Sequence, residues 1–257
     1  MAKLSVVLAV FNEQQNLPDC LSSVKEIADE IVIVDGGSKD KTVEVAHSFG
    51  AVVIRTNNPP LFHINKQKAI DKATKDWILQ LDADERVPKE LVKEINIILH
   101  ENDPKVNGYW IPRKNYFLGR FLLKGGQYPD YTLRLYRRGK GALPQKDVHE
   151  QAVVEGNVGN LKNPLLHFAD PSFSRYLLRF NRYTNLIAHQ IATEKQGFTG
   201  AIRYLLISPS WWFVMTYGRH KGFMDSWQGF VFSFFSSLRF PVAYIKYVRM
   251  KLMRRNP

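Results

Sequence analysis

Two stretches of sequence decide the fold: Ile31-Val32-Ile33-Val34-Asp35-Gly36-Gly37-Ser38 and Trp77-Ile78-Leu79-Gln80-Leu81-Asp82-Ala83-Asp84. Each begins as a short apolar run, which predicts a buried strand, and each ends in carboxylates and small residues, which predict a loop. Around them, apolar runs alternate with segments of helical periodicity, so the sequence predicts an α/β fold with a buried, mostly parallel sheet. In such sheets ligands bind outside the carboxyl ends of the strands, where both acidic motifs lie.

The same periodicity predicts further strands and helices on either side of these stretches. We expect strands over 4–11, 31–34, 51–54 and 77–81, and helices over 17–28, 40–49, 63–74 and 88–99. The lone Cys20 excludes an internal disulfide and a multi-cysteine metal site. The apolar run at 4–11 meets Asn12 and Glu13 with no small-residue cleavage site, so we expect no secretory signal.

Charge and aromatic residues are concentrated in the last third of the chain. Of a net charge of +12, residues 171–257 contribute +11, because they contain 13 Lys and Arg against only Glu194 and Asp225. They also hold 19 of the 32 aromatic residues. We therefore expect two domains, an α/β domain over 1–170 and an aromatic-rich, basic, helical appendage over 171–257.

The acidic motifs suggest specific chemistry. An Asp-x-Asp pair at the end of a strand, Asp82 and Asp84, offers two oxygen ligands suited to Mg²⁺ or Mn²⁺ on a diphosphate. Asp35 precedes two glycines that would let a base or ribose approach the backbone closely. The alternative is that Asp35 and Asp40 form only a turn and a helix cap, and that Asp82 and Asp84 belong to a solvated loop.

The ordered motifs of this chain resemble those of the family 2 glycosyltransferases, which have the Rossmann-like GT-A fold. The resemblance begins with the motifs at 5–13, 31–42 and 77–86. The later motifs are similar to those of the branch that includes lipopolysaccharide-core β-1,4-glucosyltransferases: Tyr128-Pro129-Asp130, Arg134-Leu135-Tyr136-Arg137-Arg138, Val148-His149-Glu150 and Pro164-Leu165-Leu166-His167. The resemblance covers essentially the whole chain.

That resemblance implies an inverting hexosyl transfer from a nucleotide-diphosphate sugar, usually a UDP-sugar, with Mn²⁺ or Mg²⁺ as cofactor. By position it assigns donor binding to Phe11, Asn12, Glu13, Asp35, Lys68 and Asp82, and the metal to Asp82, Asp84 and His167. Separately, alternation along an apparent strand places Arg134 on the same side as Tyr136 and Arg138, and we expect one or more of Arg134, Arg137 and Arg138 to contact the diphosphate. The resemblance suggests Glu150 as the general base, and Asp130 is the second candidate because it lies in a loop rich in glycine and aromatic residues. Where relatives often have two successive aspartates, this chain has Asp35 and Gly36, which leaves the base preference open.

Two of these assignments have plain structural alternatives. Lys68 would lie on a solvated helix face together with Lys66, Lys72 and Lys75 if it did not reach the donor. His167 would be a partly buried histidine bonded to a backbone carbonyl if it did not bind a metal.

The basic appendage predicts contact with a membrane. Residues 172–187 have the pattern of a basic amphipathic helix, and 201–217 and 229–248 are more apolar but interrupted by Pro209 and by Arg239 with Pro241. Because a span needs about 20 apolar residues, we expect a peripheral or monotopic enzyme on the anionic cytoplasmic face of the inner membrane, with a lipid-linked glycan acceptor. Alternatively, the aromatic residues pack on the α/β domain or on a second protomer, which would make a homodimer.

Two other functions fit parts of the sequence. A polyprenyl-phosphate glycosyl synthase would share the donor motifs but use a lipid phosphate as acceptor, and two transmembrane helices in the appendage, the alternative to peripheral attachment, would favour it. A non-catalytic membrane or nucleic-acid binding protein would explain the basic charge, but Asp82, Asp84 and Glu150 argue against it. We do not expect nucleic acid as a partner.

Overall fold

The computed structural model describes residues 1–59, 62–144, 151–193 and 198–253. The chain divides into two compact units, which are Met1–Arg113 with Asp130–His167, and Lys114–Pro129 with Phe168–Pro257. Residues 114–129 are predicted to belong to the first domain, whereas their contacts assign them to the second unit.

One mixed sheet organises the first unit. The strands of the described residues are β1 (Leu4–Val10), β2 (Glu30–Asp35), β3 (Val52–Arg55), β4 (Trp77–Leu81), β5 (Glu85–Arg86), β6 (Gly108–Phe117), β7 (Arg120–Leu122), β8 (Asp130–Arg137), β9 (Gly141–Ala142), β10 (Val153–Val154), β11 (Val158–Asn160) and β12 (Leu165–Asp170). Ten of them form a sheet in the order β3-β2-β1-β4-β8-β6-β12-β5, with β7 and β11 paired to β6. The first four are parallel, whereas β4 with β8, β8 with β6 and β12 with β5 are antiparallel.

The apolar runs form strands because helices cover both faces of the parallel half of the sheet. The helices are α1 (Leu17–Val24), α2 (Thr42–Ser48), α3 (His63–Lys72) and α4 (Lys89–Glu101), close to their predicted positions. Successive side chains of a strand point to opposite faces. Accordingly Leu4, Val6 and Leu8 of β1 pack in a core with α1 and α4, and Val7 packs in a second core with α3.

This topology positions the candidate site. Because β1, β2 and β4 run parallel, their carboxyl ends meet at one edge of the sheet, where ligands bind in such folds. Val10 lies in register with Asp35, and Leu8 with Leu81. The residues that follow these strands therefore lie side by side.

The second unit is mainly helical. Its helices are α5 (Phe173–Thr193), α6 (Phe198–Ile202), α7 (Ser208–Phe213) and α8 (Ser226–Met253), with π-helical turns over Arg203–Ile207 and Val214–Arg219 and a 3-10 turn over Gly222–Asp225. Pro209 lies in the first turn of α7, where its missing N–H costs little. Pro241 lies inside α8, which continues past it. No helix in the described ranges has both the length and the hydropathy that a membrane crossing requires.

Helices α5 and α8 pack closely against each other. Ala243 of α8 shares a buried cluster with Ala188 of α5. The Lys246 ammonium donates hydrogen bonds to the Thr184 hydroxyl and the Asn185 side-chain carbonyl, both at 2.7 Å. Neutral oxygens rather than carboxylates thus hold this cation between the two helices.

Candidate functional site

The loops after β1 and β2 are bonded to each other. The Asn12 N–H donates to the Ser38 hydroxyl, and the Lys39 N–H donates to the Asn12 side-chain carbonyl, both at 2.8 Å. The Glu13 N–H donates to the Thr42 hydroxyl at 2.8 Å. Asn12 has a φ of 55°, a left-handed conformation that asparagine tolerates better than most residues. The two loops therefore form one continuous rim at the edge of the sheet.

Asp35 is buried at the end of β2 and engaged with its own turn. Its carboxylate accepts the N–H groups of Gly37 and Ser38 at 3.1 Å. Gly37 has a φ of 86°, which favours glycine. Asp40 accepts the Thr42 N–H at 3.0 Å at the start of α2. These contacts are those of the turn-and-cap alternative, so the carboxylates at 35 and 40 have structural partners of their own.

The loop after β4 is closed by Glu85. The Glu85 N–H donates to the Asp82 carbonyl, and the Asp82 N–H donates to the Glu85 carboxylate, both at 2.9 Å. These two hydrogen bonds close a sharp turn, and β5 begins at Glu85. Strand β5 pairs with β12, so Glu85 lies in register with His167. As a result, His167 Nε2 lies 3.6 Å from Asp84 Oδ1.

Two cations hold the Asp82 carboxylate. Lys66 pairs with Oδ1, and Arg134 of β8 pairs with Oδ2 at 2.7 Å. Burial raises the pKa of Asp82, but the two cations oppose this and hold that pKa well below its usual range. Burial lowers the pKa of Lys66, and its pairing with Asp82 opposes that decrease.

This pair belongs to a longer network of alternating charges. Glu85 is fully buried, and its Oε1 lies 2.9 Å from Arg134 and 3.4 Å from Arg113. Arg113 in turn donates to one oxygen of Asp130 from Nη2 at 2.7 Å and from Nε at 3.0 Å. Together with Lys66 and Asp82, the network contains three cations and three carboxylates, so its formal charge is zero.

Asp84 and His167 fit a divalent cation, although the predicted three-residue set is not assembled. One cation bonded at about 2.1 Å to each atom would lie between the two side chains. Within the described ranges no three histidine, cysteine or acidic side chains are grouped to hold a metal. Asp82 is bonded to Lys66 and Arg134 instead. A cation here would take further oxygen ligands from a bound diphosphate or water.

The structure therefore brings together two pairs of the predicted site residues, Asp82 with Arg134 and Asp84 with His167. Of the residues predicted to bind the donor, 11–13 lie on the rim after β1, and Asp35 is the last residue of β2. Lys68 is exposed, and its ammonium donates to the Thr56 hydroxyl at 3.2 Å. Glu150 lies outside the described residues.

Three residues of the charge network were not predicted from the sequence as site residues. They are Lys66, Glu85 and Arg113. Lys66 shares a helix face with the buried Ala69 and Ile70, and this i, i+3, i+4 spacing was the signal for its burial. Glu85 and Arg113 gave no such signal, because their partners are distant in sequence and depend on strand register.

Comparison with known proteins identifies the family of this chain. The model of the family "Glycosyl transferase family 2" matches residues 5–151. The lipopolysaccharide core biosynthesis glycosyltransferase LpsC of Rhizobium meliloti (strain 1021) is 32% identical over 250 residues, which cover 92% of this chain and 91% of LpsC. An uncharacterized glycosyltransferase of Rickettsia bellii is 28% identical, with 98% of this chain and 86% of that protein covered. The crystal structure of S. aureus TarS 1–349 is similar with a TM-score of 0.49, 17% identity, and coverage of 86% and 74%.

The site belongs to a glycosyltransferase, and the chain is a member of glycosyl transferase family 2. The resemblance stated from the motifs is thus confirmed, including the similarity to a lipopolysaccharide-core enzyme. The GT-A fold, with a mixed sheet, flanking helices and a C-terminal helical region, is confirmed as well.

Proposed function

We propose that this glycosyltransferase is an inverting, divalent-cation-dependent hexosyltransferase that takes its sugar from a UDP-hexose. Its acceptor is a lipid-linked or lipopolysaccharide-type glycan. The observation that carries this proposal is the edge of the sheet where Lys66 and Arg134 flank Asp82 and where Asp84 meets His167. Cationic N–H groups close to a carboxylate and a histidine that could hold a metal suit a sugar donor that carries a nucleoside diphosphate.

In this proposal the rim after β1 and β2 binds the nucleoside, through Phe11, Asn12, Glu13 and Asp35. Asp82 contacts the ribose side of the donor, and Arg134 and Lys66 hold the diphosphate. The role first assigned to Lys68 thus passes to Lys66, because Lys66 is the lysine that pairs with Asp82. Asp84 and His167 would bind Mn²⁺ or Mg²⁺, which when bound neutralises charge on the leaving diphosphate.

Lys66→Met is expected to weaken UDP binding at least about tenfold and to leave Asp82 with one cation fewer. Lys68→Met is the matched control, since it removes an exposed lysine of the same helix. Calorimetry of UDP in the presence of Mn²⁺ measures both. Equal losses in the two variants would contradict the assignment of the diphosphate to Lys66.

Inversion by single displacement requires a base that accepts the proton of the acceptor hydroxyl as the new bond forms. We assign this role to Glu150, by its position after His149 in the family motif. Asp130 is the weaker candidate because Arg113 already engages its carboxylate through two N–H groups.

Glu150→Gln is expected to keep donor binding and to lower the transfer rate by about a hundredfold or more, since only the base is removed. Asp130→Asn is the comparison, and its transfer should fall less. The measurement is sugar transfer under saturating donor, with UDP affinity determined in parallel. If Glu150→Gln transferred sugar at the wild-type rate, the role would pass to Asp130.

A lipid-linked acceptor is supported by two observations. The second unit carries the basic excess of the chain, with +11 over 171–257, and LpsC, named for lipopolysaccharide core biosynthesis, is similar along nearly the whole chain. We therefore propose peripheral attachment at the anionic cytoplasmic face of the inner membrane. Transfer to a polyprenyl phosphate instead of a glycan hydroxyl would favour the alternative synthase activity.

The decisive experiment is a calorimetric screen of the full chain. The ligands are UDP-glucose, UDP-galactose, UDP-N-acetylglucosamine and GDP-mannose, each with and without Mn²⁺. We expect Mn²⁺-dependent binding of one UDP-sugar. Binding of GDP-mannose alone, or metal-independent binding, would contradict the proposed donor and cofactor, and no binding to any of them would contradict the proposed activity.

A further inference from the structure

A turn in the second unit exposes large apolar side chains at its surface. This segment, residues 219–227, connects the π-helical turn Val214–Arg219 to the start of α8, and we call it the tip. The exposed fractions are 53% for Phe223, 52% for Met224 and 56% for Trp227. Three large apolar side chains exposed within five residues are unusual for a surface in contact only with water.

The apolar surface continues from the tip along the adjoining helices. The Phe223 ring contacts that of Tyr217 at a centroid distance of 6.2 Å, and Tyr217 contacts Phe230 at 5.7 Å. Phe230 stacks on Phe234 at 5.9 Å. Phe230 and Phe234 are themselves exposed. The tip is therefore the end of a contiguous aromatic surface and not a set of isolated side chains.

The charges around the tip are positive. Arg219 and Lys221 are exposed within it, and Lys124 is exposed on the loop bonded to it. Asp225 is the carboxylate of the tip, but it is buried and accepts the N–H groups of Leu123 and Lys124. Exposed cations beside exposed aromatic residues match an anionic bilayer surface, which combines negative headgroups with an apolar interior.

The tip is held firmly by the loop 120–125 of the same unit. The two N–H bonds to Asp225 are 2.9 and 2.7 Å long, and the Gly125 N–H donates to the His220 carbonyl at 2.9 Å. A Cβ at Gly229 would lie 1.9 Å from the Gly222 carbonyl oxygen, so only glycine allows this close approach. These contacts hold the turn in place, and Phe223 and Met224 remain exposed on it.

We propose that the tip inserts into the headgroup region of an anionic lipid bilayer, with Phe223, Met224 and Trp227 entering the interface and the adjacent cations meeting lipid phosphates. The proposal rests on the proposed function and deepens it, because a lipid-linked acceptor lies at a membrane surface. The loop 120–125 belongs to the segment that leaves the first unit after Arg113 and returns at Asp130.

The test is fluorescence of a polarity-sensitive nitrobenzoxadiazole probe on Met224→Cys in the full chain. The native thiol, Cys20, is fully buried with a raised pKa, so it reacts slowly and the label is confined to position 224. We expect a blue shift and a several-fold increase in emission with phosphatidylcholine vesicles containing phosphatidylglycerol, and a much smaller change with phosphatidylcholine alone. The same probe on Ile97→Cys, which is similarly exposed in the first unit, should not respond.

Vesicle flotation of unlabelled variants gives a second readout. Phe223→Ser with Met224→Ser should weaken partitioning at least about tenfold, because two side chains lose apolar area in the interface. Val52→Ser with Ile97→Ser is the matched control and should leave partitioning unchanged. Mn²⁺-dependent UDP binding, measured on the same variants, should be retained, which separates failure of this proposal from failure of the proposed activity.

Three results would overturn the proposal. The first is a probe at 224 that is insensitive to anionic vesicles. The second is emission that rises with protein concentration without lipid, which would identify a second copy of the chain as the occupant. The third is a response to duplex DNA that equals the response to vesicles.

Discussion

Asp84→Ala is expected to abolish the gain in UDP affinity that Mn²⁺ provides and to reduce sugar transfer by about a hundredfold or more. Asp84 lies in the turn between β4 and β5, and pairing of β5 with β12 brings His167 Nε2 within 3.6 Å of its carboxylate. Removing the carboxylate leaves one histidine, and a lone neutral imidazole is a poor site for a hard cation that prefers oxygen. A loss of about 2.7 kcal/mol in transition-state stabilisation is a hundredfold in rate.

The measurement for Asp84→Ala is calorimetry of UDP with and without Mn²⁺, together with the transfer rate. Glu44→Ala is the control, because Glu44 is an exposed carboxylate on α2. Asp84→Asn removes the negative charge but keeps the size of the side chain, and it should retain little of the gain in UDP affinity that Mn²⁺ provides. UDP affinity that still rises with Mn²⁺ in Asp84→Ala would remove Asp84 from the metal site.

The parallel part of the sheet could be predicted because its signals are local. Trp77–Leu81 is a buried strand on sequence alone, since five successive residues without turn formers lead into an acidic loop, and the structure has the strand at those residues. The positions of Asp35 and Asp82 at the same edge follow from the parallel order of β1, β2 and β4. For these residues, the local sequence pattern and the sheet topology predict the same positions.

The rest of the site depends on contacts that sequence spacing does not reveal. Arg113 meets Asp130 because these residues are opposite each other in the antiparallel β6–β8 pair. That register is fixed by the whole pairing, including an irregularity at Tyr109 and Trp110. The burial of Lys66 was accessible from helical periodicity, but the basic composition of α3 suggested a solvated face. In the second unit, α8 continues past Pro241 because packing against α5 outweighs the local preference to end.

Glu85 is the carboxylate on which the charge network most depends. It is fully buried, receives the Asp82 N–H at 2.9 Å, and lies 2.9 Å from Arg134 and 3.4 Å from Arg113. Burial lowers the pKa of Arg134, but Glu85 and Asp82 outweigh this and raise that pKa above its usual value. A buried charge that loses its partner retains its desolvation cost, which is why breaking such a pair is more costly than the pair's own net contribution suggests.

Glu85→Ala is therefore expected to lower the free energy of unfolding by about 3–5 kcal/mol. Glu155→Ala is the control, because Glu155 forms an exposed ion pair with Lys140 at 3.1 Å, and such pairs contribute at most about 1 kcal/mol. Glu85→Gln keeps an acceptor for the Asp82 N–H while removing the charge, so its loss should lie between the two. Urea unfolding followed by circular dichroism measures all three. If Glu85→Ala were no less stable than Glu155→Ala, the burial of Arg113 and Arg134 would not depend on Glu85. The network would then not organise the edge of the sheet that carries Asp82 and Asp84.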